Sequence, residues 1–297
     1  MGVQFLAMKS YHEYGDSLPL QSQEREVLSL AVKVITPLIA LKVTPKISHL
    51  IVATTCPDSI APSVGQEINQ TFHPYFSNTH VIDIMQGCSG GITALLLGSQ
   101  LALLNNTTVM VVTVDAARKA CDSTSHNFDV FGNGSFGCII GVSEDNKGLL
   151  HYKSRQYKDL VNVVNVRLGH DADQVLAQHA DVNLNPRKYL GLIMNNALAV
   201  QLLRNAESFY HEFISEINCT PDIMILHQVN SKIIGFLKVL FEARGVHFVN
   251  ISQQTGNCGA ASVGIALAHS TQMTDGKKVL ICSFGTGGVI TAGLWQF

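Results

Sequence analysis

The chain has 297 residues, of which 46% are hydrophobic and only 14% charged, with a formal net charge of −2. So low a charged share requires a large buried core and excludes a disordered chain. The near-neutral balance, with no block of Lys and Arg, excludes a primary nucleic-acid role.

No uninterrupted apolar run reaches the roughly 18 residues of a membrane span, so no membrane segment is expected. The start, Met1-Gly2-Val3-Gln4-Phe5, has neither the charged region nor the apolar stretch of a secretory leader. The seven cysteines are an odd number. Without an export signal they read as reduced thiols of a cytoplasmic protein, in which a special Cys is catalytic rather than bridging.

In chain order, Val27, Leu28, Ala31, Val34, Ile35 and Leu38 fall on one helical face, with Pro37 marking its kink or end. Strand-like runs follow at His49–Thr54, Val81–Met85, Val109–Val114 and Cys138–Val142. A helix from Ser89 to about Leu104 carries Gly90, Gly91, Ala94 and Gly98, small residues that let it lie deep against its neighbours. Residues 150–190 are the most polar part and read as a loop-rich insertion. A long amphipathic helix spans about Ala197 to Ile217.

The pattern then returns. Asp222–Leu226, Phe248–Ile251 and Val279–Phe284 parallel the runs at His49, Val81 and Val109, with a repeat of about 170 residues. The turn Gly87-Cys88-Ser89-Gly90-Gly91 has its counterpart in Gly256-Asn257-Cys258-Gly259-Ala260. Alternating strands and helices of this kind give an α/β fold with mostly parallel sheets. The expected organisation is two copies of one α/β unit, residues 1–150 and 151–297, fused through a shared core.

Cys88 ends a strand and opens a helix. There a thiol feels the positive end of the macrodipole, which lowers its pKa, and free N–H groups can hold an oxyanion. Taken alone, it reads equally as a small buried structural cysteine. His227, in Leu226-His227-Gln228-Val229-Asn230, stands at another strand-to-helix junction. It can polarise a carbonyl or take a proton, or belong to a capping segment with Asn230 as N-cap. Asn257 occupies the counterpart of Cys88 and offers an amide donor, or caps a helix. Three polar residues at three such junctions can meet as one thiol-centred site. Ser283-Phe284-Gly285-Thr286-Gly287-Gly288 is a glycine-rich turn whose N–H groups can approach a substrate. It is not a phosphate-binding loop. The cysteine and histidine spacings contain no metal-binding pair, so no metal is expected.

These segments resemble the thiolase-fold condensing enzymes, in particular the β-ketoacyl-[acyl carrier protein] synthase III family. The resemblance is carried by Ile84–Gly91, Phe131–Ser135, Leu226–Asn230, Gly256–Val263 and Ser283–Gly287, and covers about residue 20 to 297. It implies duplicated βαβαβαββ halves in an α-β-α-β-α layered arrangement, and a dimer, of two identical or two different chains. It also implies acyl transfer to Cys88 from an acyl-CoA or acyl carrier protein thioester. Decarboxylative Claisen condensation with a malonyl-type thioester follows, with His227 and Asn257 binding its carbonyl. The backbone N–H groups of Cys88, Gly285, Thr286 and Gly287 would form the oxyanion hole. No cofactor is implied. Simple acyl transfer, thioester hydrolysis, or a non-catalytic place in a ketosynthase heterodimer are the alternatives.

Against that family the stretch before His49 is about 30 residues shorter, and His126 stands nearest a usual Arg, which alters the expected CoA contacts. Lys232 matches a basic position at the pantetheine entrance and carrier-protein surface. Ala61 replaces a bulky Phe of the acyl pocket at the dimer interface, which leaves room for a longer acyl chain. The altered donor contacts imply a specialised biosynthetic role.

Overall fold

The computed structural model describes residues 1–15, 26–41, 45–121, 128–145, 147–158, 164–166, 190–192, 196–270 and 276–297. The apolar runs become two five-stranded sheets of equivalent strand order. The first sheet has the order β1 (Gly2–Glu13), β5 (Asn133–Ser143), β4 (Thr108–Ala116), β2 (Ile47–Ala53) and β3 (His80–Ile84). The second runs β6 (Gly148–Gln156), β12 (Val289–Gln296), β11 (Lys278–Gly285), β9 (Ile223–Leu226) and β10 (His247–Val249). In each, the central strand, β4 or β11, has a parallel neighbour on one side and an antiparallel one on the other. A short antiparallel pair, β7 (Val164–Val166) and β8 (Leu190–Leu192), lies apart from both.

Helices cover both sheets, because strands that are buried on both faces need apolar layers on both. α1 (Glu26–Ile39) and α2 (Val64–Thr71) pack on the outer face of the first sheet through Val34, Leu38 and Ile68. α4 (Asn196–Ile217) and α5 (Ser231–Glu242) cover the outer face of the second through Phe213, Leu237 and Phe241. Between the sheets lie α3 (Gly90–Asn105) and α6 (Ser262–His269), whose Leu95, Ile92, Ile265 and Leu267 build the central core. This is the α-β-α-β-α layering expected of the thiolase fold. The stretch Gly87–Asn105, which contains α3, is long and apolar enough to cross a membrane, but it is the central core helix and most of it is buried. A helix that packs on all sides has no polar face to keep.

The structure departs from the sequence reading in two places. β1 is a strand that the residue pattern does not mark, because a register shift between Phe5 and Ala7 breaks its alternation. The polar stretch 150–190 begins as a strand: β6 pairs with β12, and its charged Lys153 and Arg155 are drawn toward Glu212 of α4. The sequence sees these side chains as loop-like, whereas the fold uses them to bridge strand and helix. Most of the remaining insertion, and His126, lie outside the described residues.

The close approach of α6 to β5 needs a glycine. A Cβ on Gly264 would overlap the ring of Phe136, which is fully buried and cannot move aside. Gly264→Ala is expected to cost about 1–3 kcal/mol through overpacking, seen as a lower urea midpoint with an unchanged slope.

Candidate functional site

The functional segments come from both halves and converge at the ends of the two central strands. β3 ends at Ile84, and a single 3-10 turn, Gly87–Ser89, leads into α3. Gly87 has a φ of +54° and lies so close to Thr286 that a side chain at this position would overlap it. Across the pseudo-two-fold axis the end of β11 packs on this turn. Ser283 Oγ donates to the Cys88 carbonyl at 2.9 Å, and Gly285 lies directly against Ser89. Gly287, with φ +75°, turns the chain back into β12, and Gln156 Nε2 donates to its carbonyl at 2.9 Å. Gly285 and Thr286 are therefore placed beside the Cys88 turn, and Gly287 follows them at the turn into β12.

His227 follows β9. Its backbone N–H donates to the Cys282 carbonyl at 2.9 Å, and its ring faces the Phe284 carbonyl through Nδ1 at 2.9 Å. The same β11 strand end thus carries Cys88 on one side and His227 on the other. Asn230 is the N-cap of α5, accepting from the Lys232 N–H, so the capping reading holds for Asn230 without displacing His227 from the site. Asn257 is placed by backbone bonds to the first half: its N–H donates to the Val130 carbonyl and its carbonyl accepts from Gly132. Asn257 Oδ1 lies 2.8 Å from His227 Nε2 and accepts from the Gly259 N–H at 3.0 Å.

These contacts define the proton positions. The Phe284 carbonyl only accepts, so Nδ1 of His227 carries a proton. Burial holds the ring's pKa below its ordinary value, while the Asn257 and Phe284 bonds work against that. The lowered pKa favours the neutral ring, and with Nδ1–H given to the Phe284 carbonyl its Nε2 is then the unprotonated nitrogen, beside Asn257 Oδ1. Once protonated there, the ring has an oxygen acceptor at each nitrogen.

Cys88 runs counter to expectation. Its thiol is buried, and its pKa is pushed up to about 12, by burial first and then by the negative charge of Asp115; its own backbone N–H works in the opposite direction. The helix start does not lower the pKa below that of a free thiol, because desolvation of the thiolate outweighs the first-turn dipole. At neutral pH the Cys88 side chain is therefore the neutral thiol. Asp115 was missed by the sequence reading. The available signal was a carboxylate directly after the apolar run Val109–Val114, at the place where Gly285 stands in the second half.

Two further expected positions lie at the surface. Ala61 is exposed in the loop before α2. Lys232 is exposed in the first turn of α5, beside Phe236 and Val239, which are 57% and 71% exposed. Among the described residues, no group of three His, Cys, Asp or Glu side chains is placed to hold a metal ion.

Residues 220–297 match the family described as 3-oxoacyl-[acyl-carrier-protein] synthase III, C-terminal. The match includes His227, Asn257 and the Gly285–Gly287 turn, but not Cys88. The chain is 26% identical over 267 residues to beta-ketoacyl-[acyl-carrier-protein] synthase III 2 of Vibrio vulnificus, covering 84% of this chain and 68% of that one. It is 24% identical over 289 residues to beta-ketoacyl-[acyl-carrier-protein] synthase III of Rickettsia typhi, covering 93% and 82%. The fold matches 3-oxoacyl-(acyl carrier protein) synthase III of Pseudomonas aeruginosa with a TM-score of 0.82 at 15% identity, over 100% of this chain and 98% of that one. This chain is a β-ketoacyl-[acyl carrier protein] synthase III-like protein of the thiolase fold. By class, such a protein is a condensing acyltransferase.

With the thiol's pKa near 12, alkylation of Cys88 in this synthase III-like protein should keep accelerating as pH rises, without the plateau near 9 of an ordinary thiol. Peptide mass spectrometry after timed iodoacetamide pulses between pH 7 and about 10.5 measures this. The lowered His227 pKa has a second consequence. Below about pH 6.5 the unfolded chain binds a proton that the folded ring resists, so stability falls with pH there. His12 and His49, lowered chiefly by burial, act in the same direction. His227→Gln should flatten part of that slope in urea melts.

Proposed function

We propose that this chain transfers an acyl group to Cys88 from a CoA or carrier-protein thioester and then condenses it with a malonyl-type thioester. The observation that carries this proposal is the convergence of Cys88, His227, Asn257 and the Gly285–Gly287 turn on one strand end, β11. The halves 1–150 and 151–297 then divide the work, the first supplying the nucleophile and the second the groups that hold the enolate.

In the first step Cys88 Sγ attacks the donor thioester carbonyl. The donor C–S bond breaks, and the leaving thiolate ends with the proton that Cys88 loses, passed through Nε2 of His227. Backbone N–H groups of Cys88 and the Gly285–Gly287 turn face the developing oxyanion. In the second step the malonyl C–COO⁻ bond breaks, CO2 leaves, and the electron pair becomes an enolate held by the Asn257 amide and by Nε2, which takes a proton from water for this step and returns it as the enolate is consumed. The enolate carbon attacks the acyl-Cys88 carbonyl, the C–S bond to Cys88 breaks, and the released thiolate takes a proton from water. The products are a 3-ketoacyl thioester and CO2. The raised thiol pKa suits this order of events: Cys88 becomes nucleophilic only as its proton is accepted, which protects a buried thiol between turnovers.

A dimer across β3 accounts for Ala61. β3 is an edge strand of its sheet, and Ile60 and Met85 near it are 71% and 59% exposed. From that surface Ala61 reaches an acyl pocket only across the interface with a second chain. Lys232, with Phe236 and Val239, offers a cation and an apolar face to an acidic carrier protein. A small residue at position 61 suits longer acyl chains and a specialised pathway, and the enzyme works in the cytoplasm.

Intact-mass measurement after incubation with acyl-CoA and acyl-carrier donors tests the first step. An adduct is expected on the wild type and none on Cys88→Ala. With malonyl thioester added, CO2 release should drop by about 100-fold or more in His227→Ala, while the Cys88 adduct still forms, more slowly because water must then take the thiol proton. Adducts without CO2 release would identify plain acyl transfer, and no adduct with any donor would identify a non-catalytic subunit. Octanoyl donors should load Cys88 faster than acetyl donors, and Ala61→Phe should reverse that order.

A further inference from the structure

We propose that Asp115 occupies a second, closed copy of the oxyanion site and thereby holds Asn257 in its working position. The proposal rests on the roles given above to Cys88, His227 and Asn257. The duplication provides its frame. Val109–Val114 matches Val279–Phe284 in the repeat, so Asp115 stands where Gly285 stands in the other half. In the second half that position carries no side chain, and the strand end packs directly against Ser89 of the Cys88 turn. In the first half it carries a carboxylate aimed at the Asn257 turn.

Asp115 is fully buried, and its hydrogen-bond partners donate to it. Thr54 Oγ1 at 2.9 Å, the Thr55 N–H at 2.6 Å and the Cys56 N–H at 3.1 Å reach Oδ1. Thr55 Oγ1 at 2.7 Å and the Ala260 N–H at 2.5 Å reach Oδ2. Three backbone N–H groups converging on one carboxylate are what an oxyanion hole offers, here filled from within. The carboxylate can come this close because residue 259 is glycine with φ +54°; a Cβ there would collide with Oδ2. The Gly259 N–H in turn orients Asn257 Oδ1. A direct line thus runs from Asp115 through the 259–261 turn to the amide that faces His227, and the same turn meets the start of α3 where Gly91 lies against the Ala260 carbonyl. Asp115 touches no reacting atom. It is a positioning residue that ties the loop after β2 in one half to the Asn257 turn in the other, and it leaves the duplicated fold with one reactive centre.

Asp115→Asn replaces one acceptor oxygen with a donor, which must then face backbone N–H groups on one side, either those of Thr55 and Cys56 or that of Ala260. With malonyl thioester, kcat for CO2 release should fall about 100-fold, while KM and the rate of Cys88 acylation stay within about threefold of wild type. Hydrogen exchange should accelerate both in peptides covering 54–56 and in those covering 257–261, which are far apart in sequence. Thr55→Val, which removes one hydroxyl donor and keeps the backbone bonds, should show the same pattern at about a tenth of the size, and serves if the Asn variant does not fold. Equal losses in acylation and CO2 release, or no loss in either, would overturn the assignment. If the wild type neither acylates nor releases CO2, the functional proposal fails, and the exchange result alone decides for Asp115. Acceleration in both segments supports the clamp, and unchanged protection in the 257–261 peptide refutes it.

Discussion

Each half of this protein holds the reactive turn of the other. Ser283, at the end of the second half's central strand, donates to the Cys88 carbonyl. Asp115, at the end of the first half's central strand, accepts from Ala260 beside Asn257. Neither bond can form until both sheets have closed on α3 and α6, because the partners are separated by 195 and 145 residues. The site therefore exists only in the fully assembled core. A thiol, an imidazole and an amide from distant segments are held to one geometry by hydrogen bonds between those segments. Such preorganisation lets donors meet developing charge without rearranging.

The same closure sets the electrostatics. Burying Cys88 makes its thiolate expensive, and the nearby Asp115 carboxylate adds to that cost. Burying His227 favours its neutral ring, yet places an acceptor at each nitrogen. The two shifts are complementary. A thiol reluctant to ionise stands in one site with a ring that gains a second hydrogen bond, to Asn257 Oδ1, on protonation. An isolated helix N-terminus would push the thiol toward thiolate, but in this core desolvation is the larger effect.

Much of this was legible in residue patterns, and what was not has identifiable causes. The buried strands of both halves carry continuous apolar runs, so Ile51, Val111 and Ile281 announce themselves. The small-residue turns around Cys88 and Asn257 mark places where backbone approaches backbone, and their matching spacing exposed the duplication. β1 escaped because its bulge breaks the alternation. β6 escaped because its charged face is paired with α4 rather than exposed to water. Asp115 escaped because a single carboxylate after a strand has no distinctive neighbour in sequence, and its meaning lies in donors from residues 54–56 and 260.

By itself the sequence determined the buried strands and the main helices, that they recur, and which three polar residues stand at equivalent strand-to-helix junctions. Those properties are local, since periodicity, glycine placement and side-chain chemistry act within a few residues. Only the tertiary structure decided that Cys88 rests as a neutral thiol, which nitrogen of His227 carries the proton, and that one of the two equivalent junctions is closed by Asp115. Each of these depends on burial and on hydrogen bonds between segments far apart in the chain. Those energies do not exist until the two halves have packed against each other.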